Sequence, residues 1–94
     1  MHILQIEHPV RKYEEWKKAF DNDPVGRKRN GVLRYRILRP SDNPDYVMVE
    51  LEFKSEDEAK QLMAALRELW GKVEGTLIEK AQVRILYVAE DIEL

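Results

Sequence analysis

Hydrophobic and polar side chains alternate most regularly between residues 46 and 54. Every second position there is apolar, at Val47, Val49, Leu51 and Phe53. This is the period of a β-strand that buries one face. Apolar and β-branched residues predict three more strands, over residues 2–8, 32–39 and 82–89. The turn formers from Pro40 to Asp45 lie between the second and third strands and predict a β-hairpin.

Two helices are predicted from a longer hydrophobic period. Tyr13, Trp16 and Phe20 lie on one helical stripe and predict a helix over about residues 10–21. Ser55 and Glu58 have the spacing of a capping box and predict the start of a second helix. Gly71 is expected to close that helix in the left-handed conformation. Residues 72–81 are expected to form an irregular connection.

This order of elements, β-α-β-β-α-β, predicts one α+β domain over residues 1–94. It is typical of the ferredoxin-like fold, a four-stranded antiparallel sheet with both helices on one face. Right-handed crossovers place the two helices on the same side. The other side of the sheet is called the helix-free face below.

The hairpin residues divide between these two faces. Leu33, Tyr35 and Ile37 are expected to face the helices, whereas Val32, Arg34, Arg36 and Leu38 are expected on the helix-free face. Matched side chains then predict the pairing of the two strands. The expected partners are Arg34 with Glu52, Arg36 with Glu50, and Leu38 with Met48.

The helix-free face mixes apolar and charged side chains. Its apolar members are expected to be Ile3, Val32, Leu38, Tyr46, Met48, Leu86 and Val88. Its polar members are expected to be Gln5, Glu7, Arg34, Arg36, Glu50, Glu52 and Arg84. A sheet face that is half apolar is not expected to remain in bulk water. A second copy of the same face, related by a two-fold axis, would cover it and form a homodimer.

The amino-acid composition excludes several kinds of chemical site. The chain has no cysteine, which excludes disulfides, thiolate nucleophiles and cysteine-ligated zinc. Basic residues concentrate in residues 1–40 and acidic residues in 41–94. We interpret this as complementarity between paired strands, and we expect no nucleic-acid partner. Since the chain has neither a membrane-length apolar run nor a signal-peptide pattern, we expect a cytoplasmic protein without membrane contact.

The element order and length, together with Tyr13-Glu14-Glu15-Trp16 and Val83-Arg84-Ile85, resemble the dimeric α/β-barrel superfamily. That group includes antibiotic-biosynthesis monooxygenases, small polyketide cyclases, muconolactone isomerases and heme-degrading monooxygenases. The chain looks most like its uncharacterised members. The resemblance implies a homodimer with a ligand cavity on the helix-free face. The heme-degrading members use a downstream histidine as the iron ligand, and this chain has none after His8.

The candidate site is therefore placed on the helix-free face. Glu50 as a base and Arg36 as an anion holder are the candidate catalytic residues, with His8 as a proton shuttle. The candidate ligand-binding residues are Gln5, Glu7, Arg34, Tyr46, Met48 and Arg84. The expected ligand is a small hydrophobic, aromatic or polyketide-like molecule, handled without metal or cofactor by a cyclase, isomerase or monooxygenase. The alternative is a non-catalytic, stress-related or ligand-binding dimer. In that case the Arg/Glu ladder, formed by the pairs Arg34–Glu52 and Arg36–Glu50, is only an interface.

Overall fold

The computed structural model describes residues 1–73 and 81–94. The elements are β1 (His2–Pro9), α1 (Tyr13–Asp21), β2 (Arg34–Leu38), β3 (Tyr46–Phe53), α2 (Glu56–Val73) and β4 (Gln82–Tyr87). The four strands form one antiparallel sheet in the order β2-β3-β1-β4. The predicted ferredoxin-like fold is confirmed. Most of the predicted irregular connection, residues 74–80, lies outside the described residues.

The core lies between one face of the sheet and the helices. In β1 and β3 every second side chain is buried, so each strand presents one apolar face to α1 and α2. Leu4, Val47, Phe53, Ala59 and Leu62 are completely buried in this core. Trp16 of α1 belongs to the same cluster. Hydrophobic burial on this side therefore fixes which way every strand residue points.

The predicted hairpin register is confirmed. Arg34 pairs with Glu52, Arg36 with Glu50, and Leu38 with Met48. The predicted assignment of residues 32 and 33 to the two faces is wrong. Val32 is buried in the core and Leu33 is half exposed, because β2 begins only at Arg34 and the strand alternation does not extend back to these residues.

The helix boundaries also differ from the prediction. Helix α1 begins at Tyr13, because the amide of Val10 donates a hydrogen bond to the carbonyl of Asp45 (2.8 Å) and Lys12 remains extended. Gly71 does not end α2, which continues to Val73. Gly71 has no positive φ, and a Cβ atom there would meet nothing within 4 Å. Nothing in the described structure therefore requires glycine at this position.

Local hydrogen bonds fix the start of α2 and the turn before β2. The Ser55 hydroxyl accepts a hydrogen bond from the amide of Glu58 (3.3 Å), which is the predicted N-cap. Gly31, in the turn before β2, has a φ of 95°, a conformation that glycine adopts readily. Within the described residues, no helix is long and apolar enough to cross a membrane.

Candidate functional site

A cavity of about 200 Å³ lies between the helix-covered face of the sheet and the two helices. Twelve of the described residues that line it are apolar: Ile6, Trp16, Ala19, Phe20, Pro24, Val25, Val49, Leu51, Leu62, Leu66, Leu69 and Trp70. Only three described lining residues are polar, namely His8, Asn22 and Arg27. An apolar cavity with a few polar groups is the usual form of a small-molecule site. The volume exceeds that of an engineered cavity of about 150 Å³ that binds benzene.

His8 enters this cavity because of its position in β1. It follows Leu4 and Ile6 at the strand period of two, so its ring points toward the helices and is 2% exposed. The ring packs edge-on against Trp16, with 5.9 Å between the ring centroids. Burial lowers the pKa of His8, and the hydrogen bond to Pro9 opposes this only in part. The imidazole is therefore neutral at pH 7.

The hydrogen bond of His8 also fixes its tautomer. Nδ1 lies 2.9 Å from the carbonyl oxygen of Pro9. A carbonyl oxygen can only accept, so Nδ1 carries the proton and donates it to this bond. In the neutral ring Nε2 then holds a lone pair. Among the described residues Nε2 makes no hydrogen bond, so it remains available to take a proton from a ligand.

Arg27 is the only charged residue among the described residues that line the cavity. Its Nη1 donates a hydrogen bond to the carbonyl of Phe20 (2.8 Å) and lies 3.5 Å from Oδ1 of Asp23. The guanidinium carbon lies 3.9 Å from the Phe20 ring centroid and 5.0 Å from that of Tyr35. Cation–π contacts of this kind hold a guanidinium in place.

The loop that carries Arg27 is held by its own hydrogen bonds. The amide of Arg27 donates to Oδ1 of Asp23 (2.9 Å). Asp23 has a φ of 51°, a left-handed conformation that aspartate adopts more readily than most residues. The side-chain amide of Asn30 donates to the carbonyls of Val25 and Gly26. These bonds position the guanidinium before any ligand binds.

The helix-free face carries the predicted ladder of charges. Nε of Arg36 donates to Oε1 of Glu50 (2.7 Å), and Nε2 of Gln5 lies 3.3 Å from Oε2 of the same carboxylate. Arg34 forms an ion pair with Glu52. Both carboxylates are 15% exposed, whereas both arginine side chains are more than two-thirds exposed. The hydrogen bond with Glu50 raises the pKa of Arg36. Within this one chain, each charged side chain of the ladder therefore has an oppositely charged partner.

The other predicted ligand-binding residues extend across the same face. The Tyr46 hydroxyl donates to Oε1 of Glu7 (3.2 Å), and burial together with this bond raises the pKa of Tyr46. Arg84 lies opposite Gln5 in the β1–β4 pairing. Met48 lies opposite Glu7 on one side and Leu38 on the other.

The structure thus brings eight of the nine predicted site residues to one face and His8 to the opposite one. The sheet separates His8 from Glu50 and Arg36, so the three do not form one catalytic group within the chain. The catalytic and binding roles of all nine residues remain predictions. Sequence analysis did not select Asn22, Arg27, Trp16 or Trp70 for the site. The alternation of β1 places His8 on the same face as Leu4 and Ile6, which α1 covers. This pattern could have predicted that His8 lies beneath the helices.

No known protein-family profile matches the sequence, and no curated protein is detectably similar to it. Solved structures do match. SnoaB, a cofactor-independent oxygenase from Streptomyces nogalater, aligns with a TM-score of 0.76 at 13% identity, over 97% of this chain and 95% of SnoaB. A protein from Nitrosomonas europaea, provisionally assigned as an antibiotic biosynthesis monooxygenase, aligns with a TM-score of 0.69 at 18% identity, over 96% of this chain and all of that one.

A dimeric ferredoxin-like protein from an uncultured marine organism also aligns, with a TM-score of 0.66 at 16% identity over 97% of both chains. At these identities the likeness concerns the fold. The chain is therefore similar, over nearly its whole length, to monooxygenase-like and dimeric proteins built on the ferredoxin-like fold.

Proposed function

We propose that this protein binds a small aromatic molecule of one or two rings in the cavity beneath the helices, and that His8 removes an acidic proton from it. The observation that supports this is the neutral imidazole of His8, whose Nε2 has no hydrogen-bond partner among the described residues. A buried, neutral imidazole in an apolar cavity is suited to act as a general base.

The proposed reaction is an oxygenation that needs no cofactor. The likeness in fold to SnoaB, a cofactor-independent oxygenase, favours this class. Nε2 of His8 takes a proton from a CH2 group next to a ketone, and the resulting enolate reduces O2. The two radicals combine, and the peroxide takes the proton back from His8. Loss of water then leaves a new ketone. The substrate supplies all the electrons, and one oxygen atom of O2 enters the product while the other enters water.

The volume of the cavity limits the substrate. About 200 Å³ is below the usual range of about 300–1,000 Å³ for sites that hold drug-sized ligands. One ring or a compact pair of rings fits such a volume, whereas an extended polyketide skeleton does not. Both tryptophans of the chain, Trp16 and Trp70, line the cavity. Their fluorescence therefore reports whether a ligand occupies it.

Deuterium exchange tests the proton transfer directly. The protein is mixed with 2-tetralone in D2O, and the loss of the C1 proton signal is followed by NMR. His8→Asn keeps a donor at the position of Nδ1 but removes Nε2. General bases contribute about 10²–10⁴-fold to rates, so this variant should lose at least about 100-fold of the protein-catalysed exchange.

His2→Asn is the matched control, because His2 is the only other histidine and does not line the cavity. It should exchange 2-tetralone as fast as the wild type. Equal rates in His8→Asn and the wild type would show that His8 is not the base. Oxygen uptake with 18O2 then separates oxygenation from isomerisation or cyclisation, which share the first step but incorporate no 18O.

We also propose that the protein forms a homodimer through its helix-free face. Leu38 is 37% exposed there beside Met48, and both ladder arginines extend into solvent. The alignment with a dimeric ferredoxin-like protein supports this arrangement. A second copy would cover the apolar side chains and desolvate the ladder on both subunits.

A further inference from the structure

Arg27 is the one described residue that lines both the cavity and a groove on the protein surface. The groove runs along the loop before β2. Its charged lining residues are Asp23, Arg27, Lys28, Arg34, Lys54 and Glu58. Four of these residues are basic and two are acidic. Arg27 therefore lies at the boundary between an apolar interior and a mainly basic exterior.

One edge of the Arg27 guanidinium has no hydrogen-bond partner within residues 1–73 and 81–94. Nη1 is engaged with the carbonyl of Phe20 and lies near Asp23. Among the described residues, nothing accepts a hydrogen bond from Nε or Nη2. These two groups point in parallel along one side of the planar guanidinium. That is the geometry that binds both oxygens of a carboxylate.

The charge balance of the cavity favours an anion at this edge. No carboxylate is among the described residues that line it, and the burial of His8 keeps that ring neutral. Asp23 lies at the opposite side of the guanidinium, near Nη1, and lines only the groove. Arg27 is 16% exposed, so water screens the charge less than on an open surface.

We propose that the ligand is an aromatic carboxylate, whose ring occupies the cavity and whose carboxylate accepts two hydrogen bonds from Nε and Nη2 of Arg27. This inference rests on the proposed function, because it requires the ring to bind in the cavity. It adds the substrate class and a residue that determines specificity. The hydrogen-bonded loop and the contacts with Phe20 and Tyr35 hold the guanidinium in the required orientation.

The test compares two ligands of the same shape, 2-naphthoate and its neutral amide, by titration calorimetry at pH 7. A charge-assisted, bidentate bond should make 2-naphthoate bind at least about tenfold more tightly than the amide. Arg27→Gln should bring the two affinities together. Arg27→Lys keeps the charge without the planar edge and should give an intermediate preference.

Arg29→Gln is the matched control, since it removes a positive charge from the same loop at a residue that lines neither the cavity nor the groove. It should retain the wild-type preference. Equal binding of both ligands to the wild type would overturn the carboxylate inference and leave the proposed cavity function standing. A preference that persists in Arg27→Gln would also overturn it. If neither ligand binds, the proposed function fails together with this inference.

Discussion

Burial of His8 should make the stability of the folded protein depend on pH. The pKa of His8 is lowered in the folded state, mainly by burial, whereas in the unfolded chain it has the ordinary value of about 6.5. Between these two values the unfolded chain binds a proton that the folded protein does not. The free energy of unfolding therefore falls as the pH falls below about 6.5.

The size of this effect has a clear upper limit. If His8 stays neutral in the folded state down to pH 5.5, the free energy of unfolding falls by at most about 1.4 kcal/mol between pH 7.5 and 5.5. Paired carboxylates also lose stabilising interactions in acid. Their contribution cancels when the wild type is compared with His8→Asn, which cannot titrate at this position.

Urea unfolding at pH 7.5, 6.5 and 5.5 measures the difference. The wild type should lose up to about 1.4 kcal/mol more than His8→Asn over this range. Parallel pH profiles for the wild type and His8→Asn would refute the reasoning that His8 is held neutral by burial.

Three further predictions concern the scaffold and the interface. Gly31→Ala should lower the free energy of unfolding by about 1–2 kcal/mol, because the φ of Gly31 is 95°. Gly71→Ala lies in a helix with open space around it and should be neutral or stabilise the fold by up to about 1 kcal/mol. Thermal unfolding of the two variants measures the difference. Ser55→Ala should cost about 1 kcal/mol through the lost N-cap, again measured by unfolding. In sedimentation, Met48→Glu should shift the protein toward monomer. Ala64→Glu, on the exposed surface of α2, should leave the oligomeric state unchanged. A wild type that sediments as a monomer would contradict the proposed dimer.

The sequence predicted the hairpin register because its charges leave little choice. Two arginines and two glutamates at alternate positions can all pair only when Arg36 faces Glu50, and the structure has this pairing. The faces of β1 and β3 followed from the same period. The alternation failed at Val32 and Leu33 because a period of two holds only inside a strand, and β2 starts at Arg34.

The location of the cavity was harder to predict for a physical reason. Polar residues at alternate positions of a strand can be recognised in the sequence, so the candidate site was placed on the Arg/Glu ladder. The cavity instead depends on how closely helices pack on a sheet, and side chains such as Trp16 and Trp70 have the same spacing whether they fill a core or line a void. Arg27 lies in a loop without periodicity, and its contacts with Phe20 and Tyr35 arise only from the tertiary fold.

The two faces of the sheet separate the proposed dimer interface from the proposed ligand site. Along β3, Val47, Val49 and Leu51 face the helices, while Met48 and Glu50 face the other way. Consecutive residues therefore contribute to different surfaces, and a substitution on one face changes the other only through the backbone. A charge at Met48 should then weaken the dimer while 2-naphthamide still binds in the cavity. Loss of both together would mean that the partner subunit shapes the cavity, and that the site belongs to the dimer rather than to each protomer.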